Sequence, residues 1–258
     1  MDELKKIKEV AEAVAREAGE YVYSRMGRLK EVSHKSGIND LVTDVDKGSE
    51  RIIIEKIKEN FPDHSILAEE SGEDSSGGAF RWVIDPLDGT TNYTHSFPFF
   101  CVSIGVFYDD KVKIGVVYDP CRDELFIAGK GNGAFLNGSP INVSGRQTLS
   151  DSMIATGFAY NMETKKANLG HFGIMMETAQ SVRRAGSAAL DLCYVACGRF
   201  DGFWELGLHP WDTAAGQLIV TEAGGKVTDM SGKDFDIFKK NIIATNSKIH
   251  FEMVNLLK

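Results

Sequence analysis

Residues 82–92 read Trp82-Val-Ile-Asp85-Pro-Leu-Asp88-Gly-Thr-Thr-Asn92, and the change of character inside this stretch decides the fold. Arg81 to Ile84 is a short apolar run suited to a buried strand, and it ends in an acid, Asp85. Pro86 and Gly89 interrupt any regular continuation, so two aspartates three residues apart stand just beyond a strand with the Leu87 carbonyl between them. Such oxygens converging on one point are hard ligands that suit Mg²⁺. A lone Asp-x-x-Asp-Gly is also a common turn in which each aspartate bonds its own backbone. Its company shifts the balance toward a cation. His64 to Ala68 leads in the same way into Glu69-Glu70, and Trp211-Asp212-Thr213 opens a helix, where Asp212 also suits the role of a cap.

Working outward, the periodicity changes twice. Leu4, Ile7, Val10, Ala11, Val14, Ala18, Tyr21 and Val22 recur every three or four residues, the stripe of an amphipathic helix running to about residue 26. Residues 27–40 are polar with two glycines and are expected to form a loop or mobile hairpin. A second helix spans roughly 47–60 and stops at Phe61-Pro62. Strands follow at 64–68, 81–84, 101–108, 112–118 and 124–128, with a hairpin over Asp109-Asp110-Lys111 and another turn at Asn137-Gly138. Beyond residue 145 the elements alternate: strand 152–156, helix 165–180, strand 181–184, helix 187–197, strand 200–205, helix 211–223, strands 226–229 and 241–245, helix 248–257. The chain is therefore expected to be one unit over 1–258, with an α+β half over 1–145 and an α/β half over 146–258. No Pro/Gly/Ser-rich linker separates the halves, so they should share an extensive interface.

Composition excludes several classes. Of 258 residues, 43% are hydrophobic and 26% charged, and 29 Lys+Arg against 37 Asp+Glu leave a net charge of −8. That is an ordinary globular balance with no clustered basic block, which argues against a nucleic-acid partner. No apolar run reaches membrane-spanning length and the first ten residues lack a signal-peptide core, so a cytoplasmic protein is expected, with no membrane partner. Cys101, Cys121, Cys193 and Cys197 are too scattered for a disulfide framework, and the six histidines show no zinc spacing.

Ala68-Glu69-Glu70-Ser71-Gly72, the 82–92 segment and Trp211-Asp212-Thr213-Ala214-Ala215-Gly216 together resemble the three signature motifs of the inositol monophosphatase family. The resemblance extends in order through Leu41 to Asp46, Gly186 to Ala189, Trp204-Glu205 and Thr221 to Gly225. It implies a layered α-β-α-β-α sandwich of mixed α+β and α/β character, with the site where the halves meet. It implies a homodimer, and a Mg²⁺-dependent, lithium-sensitive phosphomonoesterase acting on myo-inositol 1-phosphate. By the same resemblance Glu69, Asp85 and the Leu87 carbonyl hold one Mg²⁺, Asp85, Asp88 and Asp212 a second, and water near Glu69 a third. Thr90 and Asp46, with Glu69 in contact, would orient and deprotonate a water that displaces the leaving group in line; Thr90 is equally a helix cap. Backbone N–H groups of Gly89 and Thr90 suit phosphate oxygens. Asp88, Gly186, Ser187, Ala188, Glu205 and Asp212 match substrate-contacting positions, although Glu205 could be a solvated strand end. Arg183 is placed to pair with Glu205 or to form an ordinary surface ion pair, and Lys35 falls where relatives carry a lysine near the metals. The runner-up activity is a dual inositol monophosphatase and fructose 1,6-bisphosphatase. A regulatory binding protein on the same scaffold is the alternative from another class, disfavoured because every expected metal ligand is present.

Overall fold

The expected first helix buries most of the expected stripe, Leu4 staying exposed. In a computed structural model that describes residues 2–28, 32–34, 41–74 and 77–258, helix α1 (Asp2–Ser24) buries Ile7, Ala11, Val14, Ala18 and Val22. After β1 (Val32–His34) and β2 (Leu41–Thr43), an antiparallel pair where a loop or hairpin was expected, comes α2 (Asp44–Asn60). This helix begins three residues earlier than its apolar pattern because Thr43 caps it: the threonine hydroxyl accepts from the Val45 and Asp46 N–H groups.

The next strands are β3 (Ser65–Ala68), β4 (Gly72–Asp74) and β5 (Phe80–Asp88), followed by the short helix α3 (Thr90–Thr94). Then come β6 (Cys101–Tyr108), β7 (Lys111–Asp119), β8 (Glu124–Gly129), β9 (Ala134–Leu136) and β10 (Ser139–Ile141). Both predicted tight turns form: Asp109-Asp110 and Asn137-Gly138 have positive φ at both central residues, the geometry that matches strand twist in a two-residue hairpin. β3 to β10 make one eight-stranded sheet in the order β10-β9-β8-β7-β6-β5-β3-β4.

The second half contributes β11 (Met153–Thr156), α4 (Met162–Thr178), β12 (Ser181–Arg183), α5 (Ala188–Ala196) and β13 (Gly202–Leu206). It ends with α6 (Pro210–Glu222), β14 (Lys226–Thr228), β15 (Asn241–Thr245) and α7 (His250–Leu256). Its five strands are ordered β12-β11-β13-β15-β14. Three cores hold the five layers together. α1 and α2 pack Ile7, Ile53 and Ile57 on one face of the large sheet. α5 and α6 fill the space between the sheets, where Leu190, Leu218 and Ile219 meet Val117 and Phe126 on one side and Phe203 and Ala244 on the other. Met175 of α4 and Met253 of α7 cover the outer face of the small sheet over Trp204. The expected α-β-α-β-α sandwich is therefore the observed one.

The central layer lies unusually close to the large sheet. Gly105 and Gly115 are paired on β6 and β7, and a Cβ at either would stand 2.7 Å from Ala214 Cβ or 2.6 Å from the Ala215 carbonyl oxygen. Two glycines thus form a bare patch on which the first turns of α6 rest.

Candidate active site

β3 and β5 run parallel with Ala68 beside Ile84, so the residues that follow, Glu69 and Asp85, emerge together at the same sheet end. The Glu69 N–H donates to the Ile84 carbonyl (3.2 Å), which fixes that junction. β5 continues past the expected Ile84 to Asp88 by means of a bulge: Asp85 pairs with Ser103 but Asp88 with Cys101, one extra residue on the β5 side. Pro86 sits inside the bulge, where its missing N–H costs no ladder bond, and its carbonyl accepts from the Ser49 hydroxyl (2.8 Å). Gly89 closes the segment at φ 95°, a left-handed conformation that favours glycine, and its backbone passes so near Phe99 and Phe100 that a Cβ would collide.

Each acid is held by its own donors. Asp46 Oδ2 accepts from the Thr43 N–H (2.8 Å) and hydroxyl, which leaves Oδ1 to accept from the Thr90 hydroxyl at 3.1 Å. Thr90 also stands 3.1 Å from the Leu87 carbonyl oxygen. Asp85 Oδ1 accepts from the Leu87 N–H (3.0 Å). Asp88 Oδ2 accepts from the Ser187 hydroxyl and the Ala189 N–H, both at 2.7 Å, so β5 is tied to the start of α5. Asp212, the third residue of α6, accepts from the His209 N–H (2.6 Å) and completes a capping box there. Among the described residues no three His, Cys, Asp or Glu side chains already stand as a finished metal-ligand set.

These groups share a cavity of about 670 Å³ lined by Glu69, Asp85, Leu87, Asp88, Gly89 and Thr90 from the large sheet's end, and by Gly186, Ser187, Ala188, Glu205 and Asp212 from the other half. Burial pushes the carboxyls up. Asp46 rises to about 6, Asp88 to about 6 and Glu205 to about 8, while Asp85 and Asp212 lie well above the ordinary range, burial being reinforced by their charged neighbours. Buried acids that repel one another make a donor set suited to a hard divalent cation, whose charge would remove the repulsion.

Three expectations need correction or fall outside the structure. Arg183 does not face Glu205: it is exposed and bonds Ser181 and the Val182 carbonyl. Its neighbour Arg184 lines the cavity and is the cation acting on Glu205. Side chains alternate along an extended segment, so the cation that faces the cavity is one residue further on. Glu205 is no solvated strand end, being 9% exposed. Lys35 lies outside the described residues. Sequence reasoning also missed Asp191, one turn into α5, which is buried, lines the cavity and leaves Oδ1 without a hydrogen-bond partner among the described residues. An acid in an otherwise apolar helix, Ala188 to Ala196, was the available signal.

Comparison with known proteins gives a consistent result. Residues 3–257 match the inositol monophosphatase family. An inositol-1-monophosphatase of Synechocystis sp. is 47% identical over 96% of this chain and 88% of its own length. The Nus factor SuhB of Haemophilus influenzae is 44% identical over 96% of this chain and 94% of its own length. Among solved structures, the extragenic suppressor protein suhB of Bartonella henselae superposes with a TM-score of 0.94 at 42% identity, covering 98% of each chain.

Proposed function

The chain belongs to the inositol monophosphatase family, and on that premise we propose that it is a Mg²⁺-dependent phosphomonoesterase that hydrolyses myo-inositol 1-phosphate and related inositol monophosphates. The observation that carries this proposal is the convergence of Glu69, Asp85, Asp88 and Asp212, from three separated segments, on one cavity. Glu69, Asp85 and the Leu87 carbonyl would hold one ion and Asp85, Asp88 and Asp212 another, with room for a third beside Glu69. When bound, Mg²⁺ would supply charge neutralisation for the phosphate and its leaving oxygen and lower the pKa of a water.

The protein's own groups would do the rest. Thr43 engages one oxygen of Asp46, so the other faces the Thr90 hydroxyl in a fixed direction. With its proton directed at Asp46 Oδ1 and the Leu87 carbonyl, both 3.1 Å away, Thr90 Oγ1 keeps lone pairs to accept from the attacking water and so orients it, with Asp46 behind as the proton's destination and Glu69 alongside. Displacement is in line and needs no covalent intermediate. The Gly89 and Thr90 N–H groups suit phosphate oxygens. Asp88, Asp212, Glu205 and the Gly186, Ser187 and Ala188 segment line the same cavity and would meet the leaving alcohol's hydroxyls. Asp88 is pinned by Ser187 and Ala189, so it pays little entropy to bind.

Phosphate release from inositol 1-phosphate, fructose 1,6-bisphosphate, histidinol phosphate and 3′-phosphoadenosine 5′-phosphate, with Mg²⁺ or EDTA and with added Li⁺, tests the proposal. The expected result is Mg²⁺-dependent, Li⁺-inhibited release, fastest from inositol 1-phosphate. A leading rate on fructose 1,6-bisphosphate would replace the substrate, and no release from any ester would end the phosphatase proposal. The similarity to a protein named Nus factor SuhB favours a binding role besides hydrolysis on this scaffold. A cytoplasmic homodimer completes the proposal; among the described residues no helix is long and apolar enough to cross a membrane.

A further inference from the structure

We propose that Arg184 is a specificity-determining residue that recognises the leaving group of the ester, donating to the hydroxyl oxygens of a polyol whose hydroxyl protons are taken by the carboxylate side of the same wall. This rests on the phosphomonoesterase function proposed above. Arg184 follows β12 and lines the cavity beside Gly186, Ala188, Asp191 and Glu205. Its side chain is exposed and has no hydrogen bond or ion pair within 4 Å among the described residues, so its donors are uncommitted. Nη1 lies 2.5 Å from the position a Cβ on Gly186 would take, and the Asn92 amide 2.9 Å from the same point. A Cβ at 186 would push the guanidinium off this position along the wall.

The chemistry of the opposing groups says what would fit. Glu205 is buried, and Asp191 is buried with one oxygen unpartnered; Arg184 is the cation that acts on both. The carboxyl groups of Glu205 and Asp191 offer acceptor oxygens to the cavity, whereas each hydroxyl both donates and accepts. The guanidinium supplies the missing donors in a planar fork, so adjacent hydroxyls set between it and the acids are satisfied in both directions. A ring without hydroxyls would leave those groups unspent.

The test compares inositol 1-phosphate with cyclohexyl phosphate, which has the same ring size and no hydroxyls, for wild type, Arg184→Gln and Arg184→Lys. Losing hydrogen bonds from a charged group predicts that Arg184→Gln raises KM for inositol 1-phosphate by about tenfold, with kcat within about twofold. The rise for cyclohexyl phosphate should stay below about twofold. Arg184→Lys keeps the charge beside the buried acids but loses the fork, so it should retain part of the KM defect without loss of fold by circular dichroism. Equal losses on both esters, or no loss on either, would overturn the inference while leaving the phosphatase proposal intact. A wild-type chain that hydrolyses neither ester would overturn both together.

Discussion

Asp212 serves the helix and the cavity at once. Its carboxylate accepts from the His209 N–H and so caps α6, and the same side chain lines the site opposite Asp85 and Asp88. The sequence allowed both roles for it, and the structure shows the cap without displacing the residue from the cavity. Asp212→Asn keeps an amide oxygen for the cap but removes the charge. Circular dichroism and thermal midpoint should stay near wild type, while kcat/KM for the preferred ester falls by about 10²-fold or more. Near-normal turnover would remove Asp212 from the catalytic set. Other residues were legible to different degrees. Glu69, Asp85, Asp88 and Thr90 stand in contiguous motifs, so their convergence was readable before the fold. Arg184 and Asp191 were not, because single residues in ordinary-looking segments gain meaning only when a strand's alternation and a helix's rotation aim them at one wall.

At the scale of elements, the site depends on two devices that periodicity does not reveal. The bulge at Asp85 to Asp88 extends β5 beyond its apolar run and aims two acids toward the same end. The glycine patch of Gly105 and Gly115 brings α6 down onto the sheet, and with it the Asp212 turn. Most strands and helices were recoverable to within a few residues, since burial writes a period of two or 3.6 into the chain. Starts set by a cap, such as Thr43 before α2, were not, because a cap is one polar residue outside the apolar stripe. The short strand β4 carries no such period: at the sheet edge it has little apolar burial to mark it. Gly115→Ala tests the close approach. A methyl 2.6 Å from the Ala215 carbonyl oxygen must push α6 away, which should cost about 1–3 kcal/mol in urea unfolding. Turnover should fall as the Asp212 turn shifts. An unchanged urea midpoint would show that the helix seat has slack.

For the whole molecule, the layers place buried like charge between the two halves, and its cost sets a pH dependence. Asp46 and Asp88 are raised to about 6 and Glu205 to about 8 in the fold. Carboxyls in an unfolded chain titrate near about 4. Between those values the folded chain binds more protons than the unfolded one. Stability contributed by these groups is thus fully present below about pH 4 and is lost as pH rises through about 6 and then about 8. Asp85 and Asp212 are raised as well, and a divalent cation held by them with Glu69 and Asp88 would take the place of the protons on its ligands and compete with them, so its stabilising effect must grow as pH rises.

Calorimetric Tm measured with Mg²⁺ and with EDTA at pH 5 and pH 8 therefore tests the carboxylate cluster as a cation site most directly. The predicted result is a Tm raised by several degrees by Mg²⁺ at pH 8 and by clearly less at pH 5. A Tm indifferent to Mg²⁺ at pH 8, or a larger gain at pH 5, would contradict it.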